Sequence, residues 1–193
     1  MAKLILASGN KGKLREFSEM MAPLGWDVEA QGAYSVPDIE ETGLTFVENA
    51  ILKARNCCKH TGFAALADDS GIEVDALNGQ PGIYSARFSG PGATDADNNA
   101  TLLRKLQDSD VRSARYHCVL VFMRHANDPV PLICHAAWEG SILHAPQGDG
   151  GFGYDPLFWL EEHQCTAAQL DSVVKNRLSH RGRAMNQLLQ ALS

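Results

Sequence analysis

Two pairs of neighbouring carboxylates carry the clearest chemical signal in this chain. Asp68 and Asp69 directly follow an apolar run over residues 63–67, whose length and composition predict a buried strand. Ligands of open α/β sheets bind beyond the carboxyl ends of strands, where hard divalent cations prefer carboxylate oxygens. Glu40 and Glu41 lie on an acidic, turn-prone segment, residues 36–43, which we expect to be a loop. The sequence therefore predicts a divalent-metal site, with a strand-ending Asx turn as the alternative.

A glycine turn with lysines supplies groups that suit a phosphate. Residues 9–13 read Gly-Asn-Lys-Gly-Lys and separate a β-type run, residues 3–8, from a helical apolar pattern. We expect such a turn to leave backbone N–H groups at a helix start, where the helix dipole also favours an anion. The spacing fits neither the Walker A nor the dinucleotide-binding pattern. A structural turn with incidental lysines is the alternative.

Lys53 is a further candidate, placed on a predicted helix. Thr45 and Glu48 form a capping box at the start of this helix, and Gly62 is expected to end it. Lys53 lies off the apolar stripe of the helix. It is therefore available to a ligand, although an ordinary solvated lysine would have the same position.

A glycine-rich segment with aromatic residues follows much later in the chain. Residues 148–156 read Gly-Asp-Gly-Gly-Phe-Gly-Tyr-Asp-Pro. Glycine lets a backbone approach a ligand closely, and Phe152 or Tyr154 has the flat surface that a planar base needs. An ordinary glycine-rich hairpin loop is the alternative.

Basic residues form two islands on a chain with a formal net charge of −6. The first lies within residues 11–15. The second covers residues 172–193, where no acidic residue occurs and the basic side chains are Lys175, Arg177, His180, Arg181 and Arg183. The net charge disfavours a protein that coats nucleic acid, whereas the two islands favour a small polyanionic ligand. Two solvated helix faces would give the same pattern.

The remaining patterns predict a mixed sheet with helices. Residues 72–76 alternate up to Asn78-Gly79, which predicts a hairpin with residues 83–88. A helix is expected from residue 94, and a long strand over residues 115–124 with a partner at residues 130–138. From Thr166 the chain is predicted to be helical, with a break at residues 178–179. No linker or repeat occurs, so residues 1–193 are treated as one domain with two lobes.

Composition indicates a folded, soluble chain of 193 residues, with 45% hydrophobic and 21% charged residues. The longest apolar run is far below the roughly 20 residues of a membrane-spanning helix, and the N-terminus is too polar for a secretory signal. We therefore expect a cytoplasmic protein with no membrane contact. Five cysteines without a C-x-x-C pair predict reduced, buried thiols.

Taken in order, these motifs resemble a known enzyme family over nearly the whole chain. The matching segments are residues 8–13, 40–46, 48–54, 67–71, 81–87, 151–156 and 179–182. They resemble the noncanonical purine nucleoside triphosphate pyrophosphatases, the ITPase family, and most closely its bacterial dITP/XTP pyrophosphatases. The resemblance implies Mg²⁺-dependent hydrolysis of ITP, dITP and XTP to the monophosphate and pyrophosphate, which cleanses nucleotide pools. It also implies a homodimer and an elongated α/β mixed sheet flanked by helices, with two lobes and a central active-site cleft.

The resemblance also implies roles for individual residues. Asp69 is the expected general base and a metal ligand, Lys13 and Lys53 are catalytic, and Asp68 with Glu40 or Glu41 completes the metal site. The expected phosphate-binding residues are Ser8, Gly9, Asn10, Lys11, Gly12, Lys13 and Lys53. The other expected substrate-binding residues are Ser70, Phe152, Gly153, Tyr154, Asp155, Lys175, His180 and Arg181. Ser8 replaces the threonine that is frequent in the family and keeps its hydroxyl.

Two alternatives are kept open. A Maf-like nucleotide pyrophosphatase would share the chemistry but cleave pyrimidine or modified triphosphates, and residues 151–156 and 179–182 argue against it. A non-catalytic nucleotide-binding module would not need both lysines together with Asp68 and Asp69. A serine nucleophile is disfavoured because neither Ser8 nor Ser70 has a general base nearby in sequence.

Overall fold

The computed structural model describes residues 2–192, without the side chains of Lys11 and Glu16. Its strands are β1 (Ala2–Leu6), β2 (Trp26–Ala30), β3 (Ala64–Val74), β4 (Ser113–Met123), β5 (Leu132–Ile142), β6 (Phe158–Leu160) and β7 (Cys165–Thr166). Its α-helices are α1 (Lys11–Met21), α2 (Phe46–Thr61), α3 (Asp95–Lys105), α4 (Ser172–Leu178) and α5 (His180–Leu192). Short 3₁₀ helices cover Ala22–Leu24, Gln31–Tyr34, Asp75–Leu77, Gly82–Arg87 and Glu161–His163.

The strands form one mixed sheet in the order β2-β1-β3-β4-β5-β6-β7. β1 runs parallel to both of its neighbours, with Leu4 opposite Val28 of β2 and Ala64 of β3. β6 runs antiparallel to β5 and to β7. The predicted α/β class with a mixed sheet flanked by helices is therefore confirmed.

The chain divides into two compact units. The first unit comprises Met1–Asp69, Cys118–His135 and Ala184–Ser193, and the second comprises Ser70–His117 and Ala136–Arg183. In the first unit, Ala50, Ala54 and Cys57 recur at helical spacing on α2 and are fully buried in one core with residues of β1, β3 and β4. Small side chains at these positions let a helix approach a sheet closely.

Aromatic residues dominate the core of the second unit. Tyr116, Trp138 and Phe158 are buried there together with aliphatic side chains of β3 and α3. The Tyr116 and Phe158 rings lie 4.7 Å apart between centroids in a tilted arrangement, a geometry that aromatic pairs prefer to direct face-to-face stacking.

Helix α2 begins and ends where the sequence predicts. The Thr45 hydroxyl accepts the Glu48 N–H, and the Glu48 carboxylate accepts the N–H of Leu44 at 2.9 Å. Gly62 ends the helix with φ of +73°, a conformation that favours glycine. The predicted helix from residue 94 is likewise confirmed, with a complete capping box between Thr94 and Asp97.

Three predictions about secondary structure are wrong. Asp68 and Asp69 do not follow a strand, because β3 continues through them to Val74. No hairpin forms at Asn78-Gly79, because residues 82–87 are a 3₁₀ helix and only Glu73 and Pro81 form an antiparallel bridge. The reason lies in Ser85, whose hydroxyl accepts the Ile72 N–H at 2.9 Å and donates to a carbonyl of its own segment.

The third error concerns the C-terminal region. Residues 165–166 form β7, and the helix starts only at Ser172, where the Asp171 side chain accepts the Val173 N–H. Such short strands as β6 and β7 leave no periodic pattern in the sequence. The predicted break at residues 178–179 is confirmed, since Ser179 has extended backbone between α4 and α5.

All five cysteines are free thiols, and four of them are buried, as the sequence predicts. Burial raises the pKa of Cys57 to about 12 and that of Cys58 to about 11. Among the described residues, no helix has the length and apolar character needed to cross a membrane.

Candidate active site

In the first unit, two lysines meet two adjacent carboxylates of β3. Lys13 of α1 forms an ion pair with Asp68, whose side chain is fully buried. Lys53 of α2 lies 2.6 Å from Asp69 Oδ1. Because successive strand residues point to opposite faces of a sheet, Asp68 and Asp69 meet lysines from different helices. Their position inside the strand fixes both carboxylates firmly.

The Lys53 ammonium also binds the acidic loop. It donates to Glu41 Oε1 at 3.1 Å and to the carbonyl of Asp68 at 2.9 Å. One side chain of α2 thus joins the loop to β3. Glu40, the neighbouring candidate, is exposed. The structure therefore distinguishes the two glutamates that the sequence leaves equivalent.

Among the described side chains of this cluster, three carboxylates (Glu41, Asp68, Asp69) face two ammonium groups. Burial raises the pKa of Asp69 above its ordinary value, Lys53 opposes this shift, and the charges of Glu41 and Asp68 add to it. Burial alone would lower the pKa of Lys53, but Asp69 and Glu41 raise it above its ordinary value. Lys53 is therefore cationic at neutral pH, and the Asp69 carboxylate is more basic than that of an ordinary aspartate.

A polar cavity of about 280 Å³ lies beside these groups. Its lining includes Ser8, Gly9, Lys13, Glu41, Lys53 and Asp68, but not Glu40. The volume is near the lower end of the roughly 300–1,000 Å³ typical of small-ligand sites. Six of the predicted site residues are thus brought together by the fold around one cavity.

At the start of α1, two backbone N–H groups that we expected to be available to a ligand are bound within the turn. Asn10 caps the helix, and its Oδ1 accepts the N–H groups of Gly12 at 2.8 Å and Lys13 at 3.1 Å. Ser8 Oγ accepts the N–H of Asn10 at 3.1 Å. The turn is therefore stabilised from within. The side chain of Lys11, another candidate, lies outside the described residues.

The donor chemistry of the cluster fits Mg²⁺. No group of three or more His, Cys, Asp or Glu side chains that could hold a metal occurs in the part of the chain that the structure describes. Glu41 and Asp69 nevertheless share Lys53 as a partner, which brings two carboxylates close to one point. Mg²⁺ is commonly held by only one or two carboxylates, with substrate phosphates and water as the other ligands.

The second unit contains a different cluster, centred on an exposed aromatic ring. Phe152 is 59% exposed, and two cations lie over its ring. Lys175 Nζ is 5.0 Å and Arg181 Cζ 5.8 Å from the ring centroid. Both distances are within the range of a cation–π interaction. The cluster therefore presents a flat apolar surface next to two hydrogen-bond donors.

Asp155 and Tyr154, also predicted to bind substrate, are buried and bind protein groups. Asp155 forms an ion pair with Lys175 and accepts the Phe152 N–H at 2.8 Å. The Tyr154 hydroxyl donates to the carbonyl of Ser85 at 2.7 Å. Both side chains therefore fix the loop that carries Phe152.

His180 and Arg181 begin helix α5. The His180 ring stacks on Tyr116, with centroids 4.8 Å apart and an interplanar angle of 9°. The Ser179 hydroxyl accepts the Gly182 N–H at 3.2 Å, which anchors the first turn. A Cβ at Gly182 would lie 1.7 Å from the carbonyl oxygen of Asn176, so only glycine fits there. Ser70, the last candidate, is partly exposed on β3.

Sequence reasoning missed the residues that hold the two loops carrying Glu41 and Phe152. Asn49, fully buried on α2, accepts the Gly43 N–H at 2.8 Å in the acidic loop. Asp95 and Asn99 of α3 bind the backbone of Gly153. The sequence contains one signal for these contacts: the first turn of α3 has a second acid, Asp95, beyond the Asp97 of the capping box. Polar residues on a helix otherwise rarely indicate a contact with a distant loop.

The mixed sheet flanked by helices and a cavity lined by lysines and carboxylates together define a class of α/β proteins. The profile of the Ham1 family matches residues 4–191, and the chain belongs to this family.

Individual relatives cover the chain almost completely. The dITP/XTP pyrophosphatase of Vibrio cholerae is 55% identical, over 100% of this chain and 97% of the relative. The dITP/XTP pyrophosphatase of Photobacterium profundum is 56% identical, over 100% and 98%. The solved structure of a HAM1 protein from Coxiella burnetii superimposes with a TM-score of 0.97, with 52% identity over 100% of this chain and 98% of that one. The Staphylococcus aureus Ham1 protein gives a TM-score of 0.92, with 38% identity over 98% and 97%.

Proposed function

We propose that this protein is a Mg²⁺-dependent pyrophosphatase that hydrolyses noncanonical purine nucleoside triphosphates, namely ITP, dITP and XTP, to the monophosphate and pyrophosphate. The observation that carries the proposal is the cavity of the first unit, which is lined by Lys13, Lys53, Glu41 and Asp68, and whose Lys53 also binds Asp69. Cations and carboxylates around one cavity suit a triphosphate together with a divalent ion. The names of the Vibrio and Photobacterium relatives support the same activity.

The chemistry is attack of water on the α-phosphorus, with pyrophosphate as the leaving group. Asp69 accepts the proton of the attacking water, and its bond to Lys53 holds the carboxylate in place. Lys13 and Lys53 neutralise charge on the phosphate oxygens. Glu41 and Asp69, which share Lys53 as a partner, would hold Mg²⁺, which supplies further charge neutralisation when bound, whereas Asp68 on the opposite face of β3 holds Lys13. No covalent intermediate is required.

The purine base is assigned to the second cluster. Phe152 offers a face for stacking, and Lys175, His180 and Arg181 supply donors to the oxygen at C6 of hypoxanthine or xanthine. Adenine presents an amino donor at this position. In a complex with ATP, these donors would face the amino donor of adenine without an acceptor, which disfavours binding of ATP.

The resemblance also supports a homodimer in the cytoplasm that keeps nucleotide pools clean. Light scattering on the purified protein tests the dimer, since a monomer mass would contradict it.

Steady-state release of pyrophosphate from ITP, dITP, XTP, GTP and ATP, with and without Mg²⁺, tests the activity. We expect fast, metal-dependent release from ITP, dITP and XTP and very slow release from ATP. Preferred cleavage of pyrimidine or modified triphosphates would instead favour a Maf-like enzyme. Tight nucleotide binding without any release would favour the non-catalytic module.

A further inference from the structure

Gly153 is held through both of its backbone polar groups by the beginning of helix α3. Asp95 Oδ2 accepts the Gly153 N–H at 2.6 Å, and Asn99 Nδ2 donates to the Gly153 carbonyl at 2.8 Å. The same Asn99 amide also donates to the carbonyl of Asp95 at 2.7 Å. Two residues one helical turn apart therefore act on a single residue of the glycine-rich loop.

Asp95 is not required for capping its own helix. Thr94 and Asp97 form the complete capping box, in which the Asp97 carboxylate accepts the N–H of Thr94 and the Thr94 hydroxyl accepts the N–H of Asp97. The first turn of α3 thus contains one acid for the cap and a second acid for the loop.

The loop needs such support because of its glycines. Gly148, Gly151 and Gly153 all have positive φ, at 82°, 76° and 61°. Glycine is the residue with the greatest backbone freedom, so a segment of this composition does not fix a side chain by itself. The Phe152 N–H is held on one side by Asp155, and Gly153 is held on the other side by α3.

We propose that Asp95 and Asn99 are positioning residues for Phe152. By fixing the backbone of Gly153, they hold the exposed ring where a planar purine base stacks on it. The inference rests on the proposed function, and it concerns affinity for the base rather than the chemistry at phosphorus.

Loss of either contact should therefore affect binding more than turnover. We expect Asn99→Ala and Asp95→Ala to raise KM for ITP about three- to tenfold, which is the effect of a typical hydrogen bond. The kcat should remain close to that of the wild type, because no group that meets the reacting phosphate is altered. Asp95→Asn keeps an acceptor oxygen and should restore most of the affinity.

Calorimetric titration with inosine monophosphate and, separately, with pyrophosphate tests the inference without relying on turnover. The two alanine variants should bind the monophosphate three- to tenfold more weakly and pyrophosphate as the wild type does. The matched control is Asp97→Ala, which weakens the cap of the same helix but leaves both contacts to Gly153. Its affinity for the monophosphate should be unchanged.

Several outcomes would overturn the inference. Unchanged monophosphate affinity in both alanine variants means that the loop is held without α3. An equal loss in Asp97→Ala, or equal losses for both ligands, means that general stability of the helix is responsible. These results leave the proposed function intact as long as the wild type binds the monophosphate and hydrolyses ITP. A wild type that does neither overturns the proposed function and this inference with it.

Discussion

The two clusters handle charge in opposite ways. In the first unit, Glu41 and Asp68 line a polar cavity with Lys13 and Lys53, Lys53 also binds Asp69, and among these described side chains the carboxylates outnumber the lysines. In the second unit, one buried ion pair of Asp155 and Lys175 lies among aromatic rings, and the exposed surface is a phenyl face. Unbalanced charge suits a site that takes up a cation and a polyanion together. Aromatic faces with fixed donors suit recognition of a planar group, so we assign chemistry to the first cluster and selectivity to the second.

The largest expected effect comes from removing one charge of the first cluster without changing its shape. Asp69→Asn should lower kcat about 10²- to 10⁴-fold, the usual contribution of a general base. A circular dichroism spectrum and a melting curve check that the variant is folded. A kcat near that of the wild type in the presence of Mg²⁺ would remove Asp69 from the mechanism.

Two lysines offer a matched comparison, because each is paired with a buried aspartate. Lys53→Met should lower kcat/KM about 10²-fold on every triphosphate, since the lost charge faces the phosphates. Lys175→Met should act mainly through KM and depend on the base, since Lys175 lies over the ring of Phe152. The measurement is kcat and KM of both variants on ITP and on ATP. Melting temperatures serve as a control for the stability lost with each ion pair. The same pattern of losses in the two variants would contradict the division between chemistry and selectivity.

Arg181 tests selectivity within the second cluster. Arg181→Ala should narrow the ratio of kcat/KM between ITP and ATP about tenfold, because a charged donor to the C6 oxygen is lost and adenine never used it. Lower turnover of ITP with little change for ATP is the expected result. Equal proportional losses on the two nucleotides would assign Arg181 to the phosphates or to the fold.

The sequence predicts the family and the elements with strong local signals. Thr45, Glu48 and Gly62 define α2 because caps and left-handed glycines are local chemistry, and the mixed sheet follows from apolar runs of ordinary length. The match of residues 4–191 to the Ham1 family confirms the resemblance drawn from the motifs. Residue roles at the site remain predictions.

Non-local contacts explain what sequence reasoning could not give. The acids of β3 interrupt an apolar run, so the sequence indicates a strand end. The strand continues because Lys13 and Lys53 neutralise these acids from two helices. Similarly, the Ser85 hydroxyl accepts the Ile72 N–H of β3 where the sequence predicts a hairpin partner. Asn49 and Asn99 act on loops 6 and 54 residues away, and neither contact leaves a periodic signal.

Asn49 gives the smallest expected effect and tests how the acidic loop of the first cluster is held. Its Oδ1 binds the Gly43 N–H, whereas its Nδ2 is buried without a hydrogen-bond partner. Asn49→Ala removes the bond to the loop and also a buried unpaired donor, so the two effects on stability partly offset each other. We expect an almost unchanged melting temperature and a kcat/KM about threefold lower, since Glu41 is less well placed.

The matched variant acts on the other partner of the same contact. In Gly43→Ala, the new Cβ would lie 2.6 Å from both Asn49 Oδ1 and Glu48 Cβ, so the loop has to shift. Its kcat/KM should fall further than that of Asn49→Ala, and its melting temperature should fall as well. The order of the two losses follows from a broken contact in one variant and a displaced backbone in the other. If Asn49→Ala keeps the kcat/KM of the wild type, the ion pair between Lys53 and Glu41 holds the loop alone. The first cluster would then depend on charge for its geometry as well as for its chemistry.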